Sequence, residues 1–346
     1  MLTQSTTLAK DGQPYQLITL RNANHVVVTL MDWGATLLSA QIPLQDGSVR
    51  EALLGCATPE QYPEQAAFLG ASIGRYANRI ANSRFQLDGK TVTVLPSQGE
   101  HQLHGGPEGF DKRRWAIASQ TATEVVFTLT SADGDQGYPG ELKATATYRL
   151  TEDNRISIEY RATVDKACPV NLTNHVYFNL DGAQTDVRHH TLQLLADEYL
   201  PVDESGIPHN GLKAVANTSF DFRQPKTVAQ DFLSDDDQKK VNGYDHAFLL
   251  QAQGDASLPV ANVWSQDKKL QMAVYTSAPA IQFYAGNFLE GTLSRTAQPY
   301  AAWQGLALES EFLPDSPNHP EWPQPDCVLR PGEEYISLTE YQFIAL

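Results

Sequence analysis

Short apolar runs recur along the whole chain, and residues typical of turns separate them. The runs are rich in Val, Ile, Leu, Thr and aromatic residues, a composition that favours β-strands, while a helical pattern is scarce. They are residues 25–30, 36–42, 84–87, 91–95, 125–129, 144–150, 156–160, 191–195, 247–250, 270–275, 280–284, 305–309 and 335–341. This pattern predicts an all-β protein, built as a large antiparallel sandwich or barrel.

Local signals refine this prediction. Asp88-Gly89 lies between two of the runs and predicts a β-hairpin. Two short segments, residues 59–67 and 227–234, favour helix. The chain shows no internal repeat, no low-complexity segment and no linker-like change of composition. We therefore expect one domain, residues 1–346, with a few short helices.

Charge and cysteine content narrow the class of partner. The 346 residues carry a formal net charge of −16, which argues against nucleic acid and anionic membranes as ligands. The three cysteines, Cys56, Cys168 and Cys327, are far apart and form no CxxC pair, so neither a zinc knuckle nor a disulfide framework is indicated. With no export signal and no apolar run of membrane-spanning length, we expect a reduced, cytoplasmic protein.

The segment 171–179 combines polar side chains with an apolar run. If it is a strand, alternation places Thr173, His175, Tyr177 and Asn179 on one face. Such a face is more typical of a polar cavity than of a core. The alternative is a half-buried histidine whose hydrogen bonds are simply satisfied, and for an isolated histidine that is the more common outcome.

Four further stretches carry candidate ligand-binding groups. They supply Asn78 and Arg79 in residues 74–80, His104 before Gly105-Gly106, Asp245 in residues 243–246, and Glu309 in residues 305–310. Alternation places Glu309 beside only Gly305 and Ala307 on its face, which leaves room above the sheet, and it places Gln282 with Ala280 and Tyr284. For an arginine such as Arg79 a surface position is the more common outcome, and Asp245 could equally cap or close a turn.

No motif for a nucleotide, a phosphate or a catalytic metal is present. His101 and His104 have a spacing that puts them on opposite faces of a strand, and no third ligand is evident, so we predict no metal. Histidine, carboxylates and hydroxyl-binding side chains together indicate acid/base chemistry on a polyol or a sugar. Tyr177, Tyr284 and Trp33 are aromatic residues that we expect near such a cavity. We expect no cofactor.

Six motifs, taken in order, resemble those of the aldose 1-epimerases, or galactose mutarotases. They lie at residues 74–80, 103–106, 171–180, 243–246, 282–288 and 308–310, and residues 329–335 also fit. The resemblance covers nearly the whole chain and is greatest to the bacterial cytosolic members. It implies a galactose mutarotase-like β-sandwich (a supersandwich) with an open, sugar-sized groove, no cofactor, and interconversion of the α and β anomers of hexoses such as D-galactose and D-glucose.

Residue roles follow from the same resemblance. Glu309 matches the family's general base, His175 its general acid and His104 its second active-site histidine. Asn78, Arg79, Asp245 and Gln282 match positions that bind the sugar. We expect Glu309 to be ionised and His175 protonated in the resting enzyme, since opposite charges close together favour that state. We expect a monomer or a weak dimer.

The sequence leaves three different functions open besides this one. A hexose-6-phosphate epimerase would need cations at the mouth of the groove, for which Arg75 and residues 112–114 are candidates. A glycosidase would use the carboxyls of Asp245 and Glu309. These would be about 5–5.5 Å apart in an enzyme that retains the anomeric configuration and about 6.5–9.5 Å apart in one that inverts it. A non-catalytic sugar-binding sandwich would need the hydroxyl-binding residues without the pair His175 and Glu309. Phe283 and Phe288 are expected in the core, although both could shape the pocket.

Overall fold

A computed structural model describes residues 1–183 and 185–346 of the chain. Strands dominate these residues. In chain order they are β1 (Leu2–Leu8), β2 (Pro14–Arg21), β3 (Val27–Met31), β4 (Thr36–Pro43), β5 (Val49–Glu51), β6 (Ser72–Ile73), β7 (Arg79–Ile80), β8 (Arg84–Leu87), β9 (Lys90–Thr93), β10 (Gln102–Leu103), β11 (Ala116–Gln120), β12 (Glu124–Ser131), β13 (Leu142–Leu150), β14 (Arg155–Val164), β15 (Cys168–Pro169), β16 (Thr173–Asn174), β17 (Thr191–Leu194), β18 (Ala196–Leu200), β19 (Lys213–Ala214), β20 (Lys226–Thr227), β21 (Asp245–Leu250), β22 (Ala261–Trp264), β23 (Leu270–Thr276), β24 (Ala280–Tyr284), β25 (Ala307–Glu311), β26 (Val328–Leu329) and β27 (Tyr335–Ala345).

Helical structure in the described residues is short. The α-helix is α1 (Asp236–Lys240), and the 3₁₀ turns are Pro59–Gln61, Ala81–Ser83, Phe110–Lys112, Asp135–Gly137, Val187–His189, Val228–Asp231 and Ser316–Asn318. None of the helices in the described part of the chain has the length and apolar content to cross a bilayer.

Three large sheets form the frame of the part of the chain that the structure describes. The first has the order β1-β2-β3-β4-β5, the second β11-β12-β13-β14-β27-β23-β22-β17-β20, and the third β19-β18-β21-β24-β25. Their ladders run antiparallel, as the pairs β13–β14, β14–β27 and β24–β25 illustrate. The predicted all-β antiparallel class is therefore confirmed.

The inner faces of the three sheets share one continuous apolar cluster. It extends along the chain from Ile18 to Phe343 and includes Leu142 of β13 and Leu308 of β25. Strand β13 shows the reason, since its burial alternates along the strand and each second side chain enters the core. The segment before the third sheet is attached to this core by Phe178, whose ring centroid lies 4.8 Å from that of Tyr341.

The third sheet aligns several polar residues by its register. Gln282 on β24 pairs directly with Glu309 on β25, and Tyr284 pairs with Ala307. On the opposite side of β24, Asp245 of β21 pairs with Tyr284. Because neighbouring side chains on one face of a sheet lie close together, this register gathers Asp245, Gln282 and Glu309 at one place.

Several local predictions can be compared with the structure. The hairpin at Asp88-Gly89 is confirmed, since β8 and β9 pair on either side of it. The helix predicted at 59–67 is a single 3₁₀ turn, Pro59–Gln61, because Pro63 has no N–H to continue a helix. The helix predicted at 227–234 is likewise one turn, Val228–Asp231. The possible strand at 171–179 is regular only at β16, with isolated bridges at Asn171 and Phe178.

A left-handed turn follows β10 and presents one candidate histidine. His104 has φ +51°, and Gly105 and Gly106 follow with φ +83° and +99°. A Cβ added to Gly105 would overlap the carbonyl oxygen of Gly74. The two glycines therefore allow both a close approach of backbone and a positive φ at this turn.

This turn generates a prediction on stability. Gly105→Ala should lower the free energy of unfolding by at least about 3 kcal/mol, because backbone strain and steric overlap add together. The matched variant Gly89→Ala has a similar φ of +77° but no atom within 4 Å of the new Cβ. It should cost only about 1 kcal/mol. Urea denaturation of both variants measures the difference, and equal losses would contradict the packing argument.

Candidate active site

A chamber of about 530 Å³ opens beside the third sheet, and all seven predicted site residues line it. They are Asn78, Arg79, His104, His175, Asp245, Gln282 and Glu309. They come from loops and strands that are far apart in the chain, so the fold alone brings them together. Such a polar chamber is large enough for one small-molecule ligand.

Glu309 stands on β25 at the wall of the chamber and is only 3% exposed. Its Oε2 atom is buried and has no hydrogen-bond partner among the described residues. Since an unpaired buried carboxyl oxygen is costly, the atom is available to a ligand that brings a donor.

His175 follows β16 directly and faces Glu309. Its Nε2 atom lies 3.6 Å from Glu309 Oε1. The backbone is fixed by the His175 N–H, which donates to the Ala71 carbonyl at 2.9 Å. The ring is enclosed by aromatic groups, with centroids at 5.8 Å for Phe68 and 4.9 Å for Tyr177. A proton can pass between His175 and Glu309 through a ligand hydroxyl or a small relative movement.

The predicted polar face of the segment 171–179 is correct in part. His175 and Tyr177 both line the chamber. Asn179 serves the structure instead, since its amide donates to the carbonyls of Thr185 and Gln304. The regular alternation ends with β16, and for this reason it does not extend to Asn179.

His104 and Asn78 hold each other through two hydrogen bonds. The Asn78 N–H donates to His104 Nδ1 at 3.1 Å, and the His104 N–H donates to the Asn78 carbonyl at 3.0 Å. In the neutral ring the proton then resides on Nε2, which makes that atom a donor. The His104 and His175 ring centroids are 5.2 Å apart, so the Nε2–H donor of His104 lies near His175 and Glu309.

Arg79, Asp245 and Gln282 form the polar side of the chamber. Gln282 Nε2 donates to Asp245 Oδ1 at 2.7 Å. Arg79 Nε donates to Gln98 Oε1 at 2.7 Å, which orients the guanidinium group. These are amide, carboxylate and guanidinium groups of the kind that bind several hydroxyls at once.

Burial controls the protonation of the site. It lowers the pKa of His175 to about 4 and lowers the pKa of His104 well below its ordinary value. It raises the pKa of Glu309 well above its ordinary value, and the charges of Glu311 and Asp245 add to the effect. Burial also raises the pKa of Asp245.

The expected pair of ionised Glu309 and protonated His175 is therefore wrong for this structure. Desolvation of both groups outweighs their attraction at 3.6 Å, so the neutral forms are favoured. The charged pair and the neutral pair carry the same number of protons, since the two forms differ only in which of the two groups holds the shared proton. The pair consequently keeps one group able to donate and one able to accept.

Sequence reasoning missed Glu311, the second carboxyl of β25. It is 1% exposed, and its Oε1 atom accepts a hydrogen bond from Asn78 Nδ2 at 2.8 Å. Burial raises its pKa to about 8. Strand alternation was the signal that could have found it, since it places Glu311 on the same face as Glu309.

The aromatic residues of the chamber also differ from expectation. Phe283 is in the core as expected, but Phe288 is 66% exposed at the chamber mouth, so its predicted core position is wrong. Tyr177 and Tyr284 line the chamber, whereas Trp33 lies outside the residues that line it. Phe68 does line it, with a left-handed φ of +56° that no sequence signal indicated.

The basic side chains that were candidates for binding a phosphate form other contacts in the structure. Arg75 is buried and donates to Ser131 and to the carbonyls of Ala132 and Pro139. Lys112 donates to the Pro107 carbonyl.

The two arginines after Lys112 are also held by neighbouring groups. Arg113 pairs with Asp135, and Arg114 pairs with Asp11 and Asp32. Among the described residues that line the chamber, Arg79 is the one arginine, and no lysine is present.

A cation could approach three of the site residues. The donor atoms of His104, His175 and Glu309 lie within 4.8 Å of one another. This spacing also suits groups that pass a proton through a bound hydroxyl. The absence of a metal therefore stays a prediction from the sequence.

Comparisons with known proteins agree on one family. The family model described as Aldose 1-epimerase matches residues 16–342. The aldose 1-epimerase of Escherichia coli (strain K12) is 75% identical over 345 residues, covering 100% of both chains. That of Haemophilus influenzae is 50% identical, covering 99% of this chain and 100% of its own. The crystal structure of galactose 1-epimerase from Lactobacillus acidophilus NCFM has a TM-score of 0.86 at 31% identity, covering 100% of this chain and 99% of its own. The chain belongs to the aldose 1-epimerase family.

Proposed function

We propose that this protein interconverts the α and β anomers of hexoses, with D-galactose and D-glucose as substrates. A base removes the proton of the C1 hydroxyl while an acid protonates the ring oxygen, and the C1–O5 bond breaks to give the free aldehyde. Rotation about C1–C2 presents the opposite carbonyl face. Closure reverses both proton transfers and returns the site to its initial protonation state.

One observation carries this proposal: a buried carboxyl and a buried imidazole, 3.6 Å apart, face a sugar-sized chamber. The reaction needs one group that accepts a proton and one that donates, and the pair Glu309 and His175 holds one proton between them. In the family's assignment, Glu309 is the base and His175 the acid, and these roles require the shared proton to pass from the Glu309 carboxyl to the His175 imidazole before the sugar reacts. His104 and Arg79 are placed to stabilise charge that develops on the sugar oxygens, and Asn78, Asp245 and Gln282 to bind its hydroxyls.

A hexose-6-phosphate epimerase is disfavoured by the charge of the chamber. Glu64 and Glu290 lie at its lining and are exposed. Arg79 provides the one fixed positive charge among these described lining residues. A dianionic phosphate would therefore meet net repulsion.

A glycosidase and a non-catalytic sugar-binding protein have less support. A glycosidase based on Asp245 and Glu309 would leave His175 without a task, and Asp245 is already bonded to Gln282. A non-catalytic sugar-binding protein would have no need for a proton-sharing pair, whose burial is costly.

The proposal extends to the context of the enzyme. We place it in the cytoplasm as a single domain, residues 1–346, active as a monomer or a weak dimer without cofactor or metal. Three buried free cysteines are consistent with a reducing compartment. The net charge of −16 supports a small neutral substrate rather than nucleic acid.

Glu309→Gln should reduce kcat for mutarotation of freshly dissolved α-D-galactose by at least about 100-fold, because the amide cannot exchange a proton. Polarimetry follows the reaction directly. Glu198→Gln is the matched control, since Glu198 lies on β18 of the same sheet but outside the chamber lining. A wild-type protein that does not accelerate the change of rotation would refute the proposed function. Equal rates for wild type and Glu309→Gln would refute only the role of Glu309.

The pH dependence should show an unusually low acidic limb. Since burial lowers the pKa of His175 to about 4, a second proton reaches the pair only near that pH. We therefore expect kcat/KM to remain nearly constant from neutral pH to about pH 5 and to fall only below it. An ordinary histidine would give a fall near about pH 6.5. Circular dichroism at each pH separates this effect from unfolding, and a limb centred near about 6.5 would contradict the burial argument.

Discrimination against phosphate is also testable. With α-D-glucose 6-phosphate, kcat/KM should be at least about tenfold below that for α-D-glucose at low salt, and this ratio should decrease as the salt concentration rises. Glu290→Lys should also decrease the ratio, whereas Glu198→Lys should leave it unchanged. Equal efficiency for both substrates in the wild type would show that the acidic lining does not exclude phosphates.

A further inference from the structure

We propose that Glu311 is a positioning residue for this reaction: it anchors Asn78 and, by its charge, sets the pH range in which Glu309 exchanges its proton. The inference rests on the proposed function and assigns a task to the second buried carboxyl of β25. It concerns a group that acts through Asn78 and Glu309 and needs no contact with the sugar.

The strand geometry places the two carboxyls side by side. Glu309 and Glu311 are separated by two positions on β25, so they project from the same face of the third sheet. Opposite Glu311 the neighbouring strand β24 has Ala280, and opposite Glu309 it has Gln282. The small side chain of Ala280 leaves the space that Glu311 occupies.

Asn78 links Glu311 to the rest of the site. Its Nδ2 donates to Glu311 Oε1 at 2.8 Å, and its Oδ1 accepts the N–H of Arg79 at 2.9 Å. Its own N–H donates to His104 Nδ1 at 3.1 Å. Asn78 also has φ +62°, a left-handed conformation that needs support from its surroundings. Loss of the Glu311 anchor would therefore disturb Arg79 and His104 together.

The charges around Glu311 favour coupling to Glu309. From neighbouring elements, Asp245 of β21 and Arg79 of β7 act on the Glu311 carboxyl with opposite sign. The hydroxyl groups of Tyr76 and Tyr335 also sense its charge but are themselves neutral.

Further acidic groups surround a second cavity of about 340 Å³ that Glu311 also lines, where Asp326, Glu333 and Glu334 are exposed and the thiol of Cys327 is buried. Water screens those three carboxylates. Glu309, close by on the same face and 3% exposed, is thus the carboxyl most affected by Glu311.

Two buried carboxyls on one face do not ionise independently. The Oε2 atoms of both carboxyls have no partner among the described residues, but Asn78 donates a hydrogen bond to Glu311 Oε1 and stabilises the anion of Glu311. The negative charge therefore forms on Glu311 first and increases the proton affinity of Glu309. On the alkaline side of the pH profile, this charge delays the loss of the proton that the pair Glu309 and His175 shares.

The substitution Glu311→Gln separates charge from anchoring. The glutamine Oε1 still accepts the Asn78 hydrogen bond, so kcat at the optimum should stay within about threefold of wild type. Without the negative charge, the alkaline limb of kcat/KM for α-D-galactose should move to lower pH by about one unit. Glu311→Leu removes the anchor as well and should lower kcat/KM at least about tenfold at every pH.

Glu198→Gln on β18 is the matched control and should leave the alkaline limb in place. A wild-type enzyme that accelerates mutarotation, with a limb that does not move in Glu311→Gln, would overturn this inference and leave the proposed function intact. A wild type without mutarotase activity would instead refute the proposed function. If Glu311→Gln lowered the maximal kcat/KM but left the alkaline limb at the same pH, Glu311 would have only a structural role.

A second measurement does not depend on activity or on the folding of Glu311→Gln. NMR of ¹³C-labelled glutamate in wild type follows both carboxyls, and the signal lost in Glu309→Gln identifies that of Glu309. The Glu311 carboxyl should lose its proton at lower pH than the Glu309 carboxyl. Its midpoint should stay nearly unchanged in Glu309→Gln, because Glu309 is still neutral when Glu311 ionises. Ionisation of Glu309 before Glu311 would overturn the inference.

Discussion

The cost of removing ionisable groups from water is the constraint on which this site depends. Glu309, His175, His104 and Glu311 are all buried. In such surroundings each favours its neutral form, and any charge must be supported by a specific partner. The chamber therefore works with few charges, which are placed by hydrogen bonds such as that from Asn78 to Glu311. A reaction that only transfers protons is therefore compatible with a buried and mostly uncharged chamber wall.

Sheet register supplies the geometry that this constraint requires. Gln282 and Glu309 meet because β24 and β25 pair directly, and a slip of one residue would turn Glu309 toward the core. The histidines are held differently. His104 lies in a left-handed turn, and both the N–H and the carbonyl of His175 form backbone hydrogen bonds. The site thus combines a carboxyl on a rigid strand with imidazoles on loops that are tied to it.

Much of this arrangement was predictable from the sequence, since strand composition indicated the all-β class and the seven site residues all reach one chamber. The resemblance of ordered motifs supplied their roles. Further features depend on tertiary packing. The charge state of Glu309 and His175 follows from burial, which local sequence does not reveal. Phe288 is apolar yet exposed, because its loop projects at the chamber mouth rather than into a sheet.

The hydrogen bond between Asn78 and Glu311 joins residues 233 positions apart in the chain. Closing so long a loop costs chain entropy before any contact compensates for it, and proteins dominated by non-local strand pairing fold slowly. The site forms only when the N-terminal and C-terminal parts of the chain have packed together, since neither part carries all of its residues. Return of activity during refolding would therefore report this long-range packing.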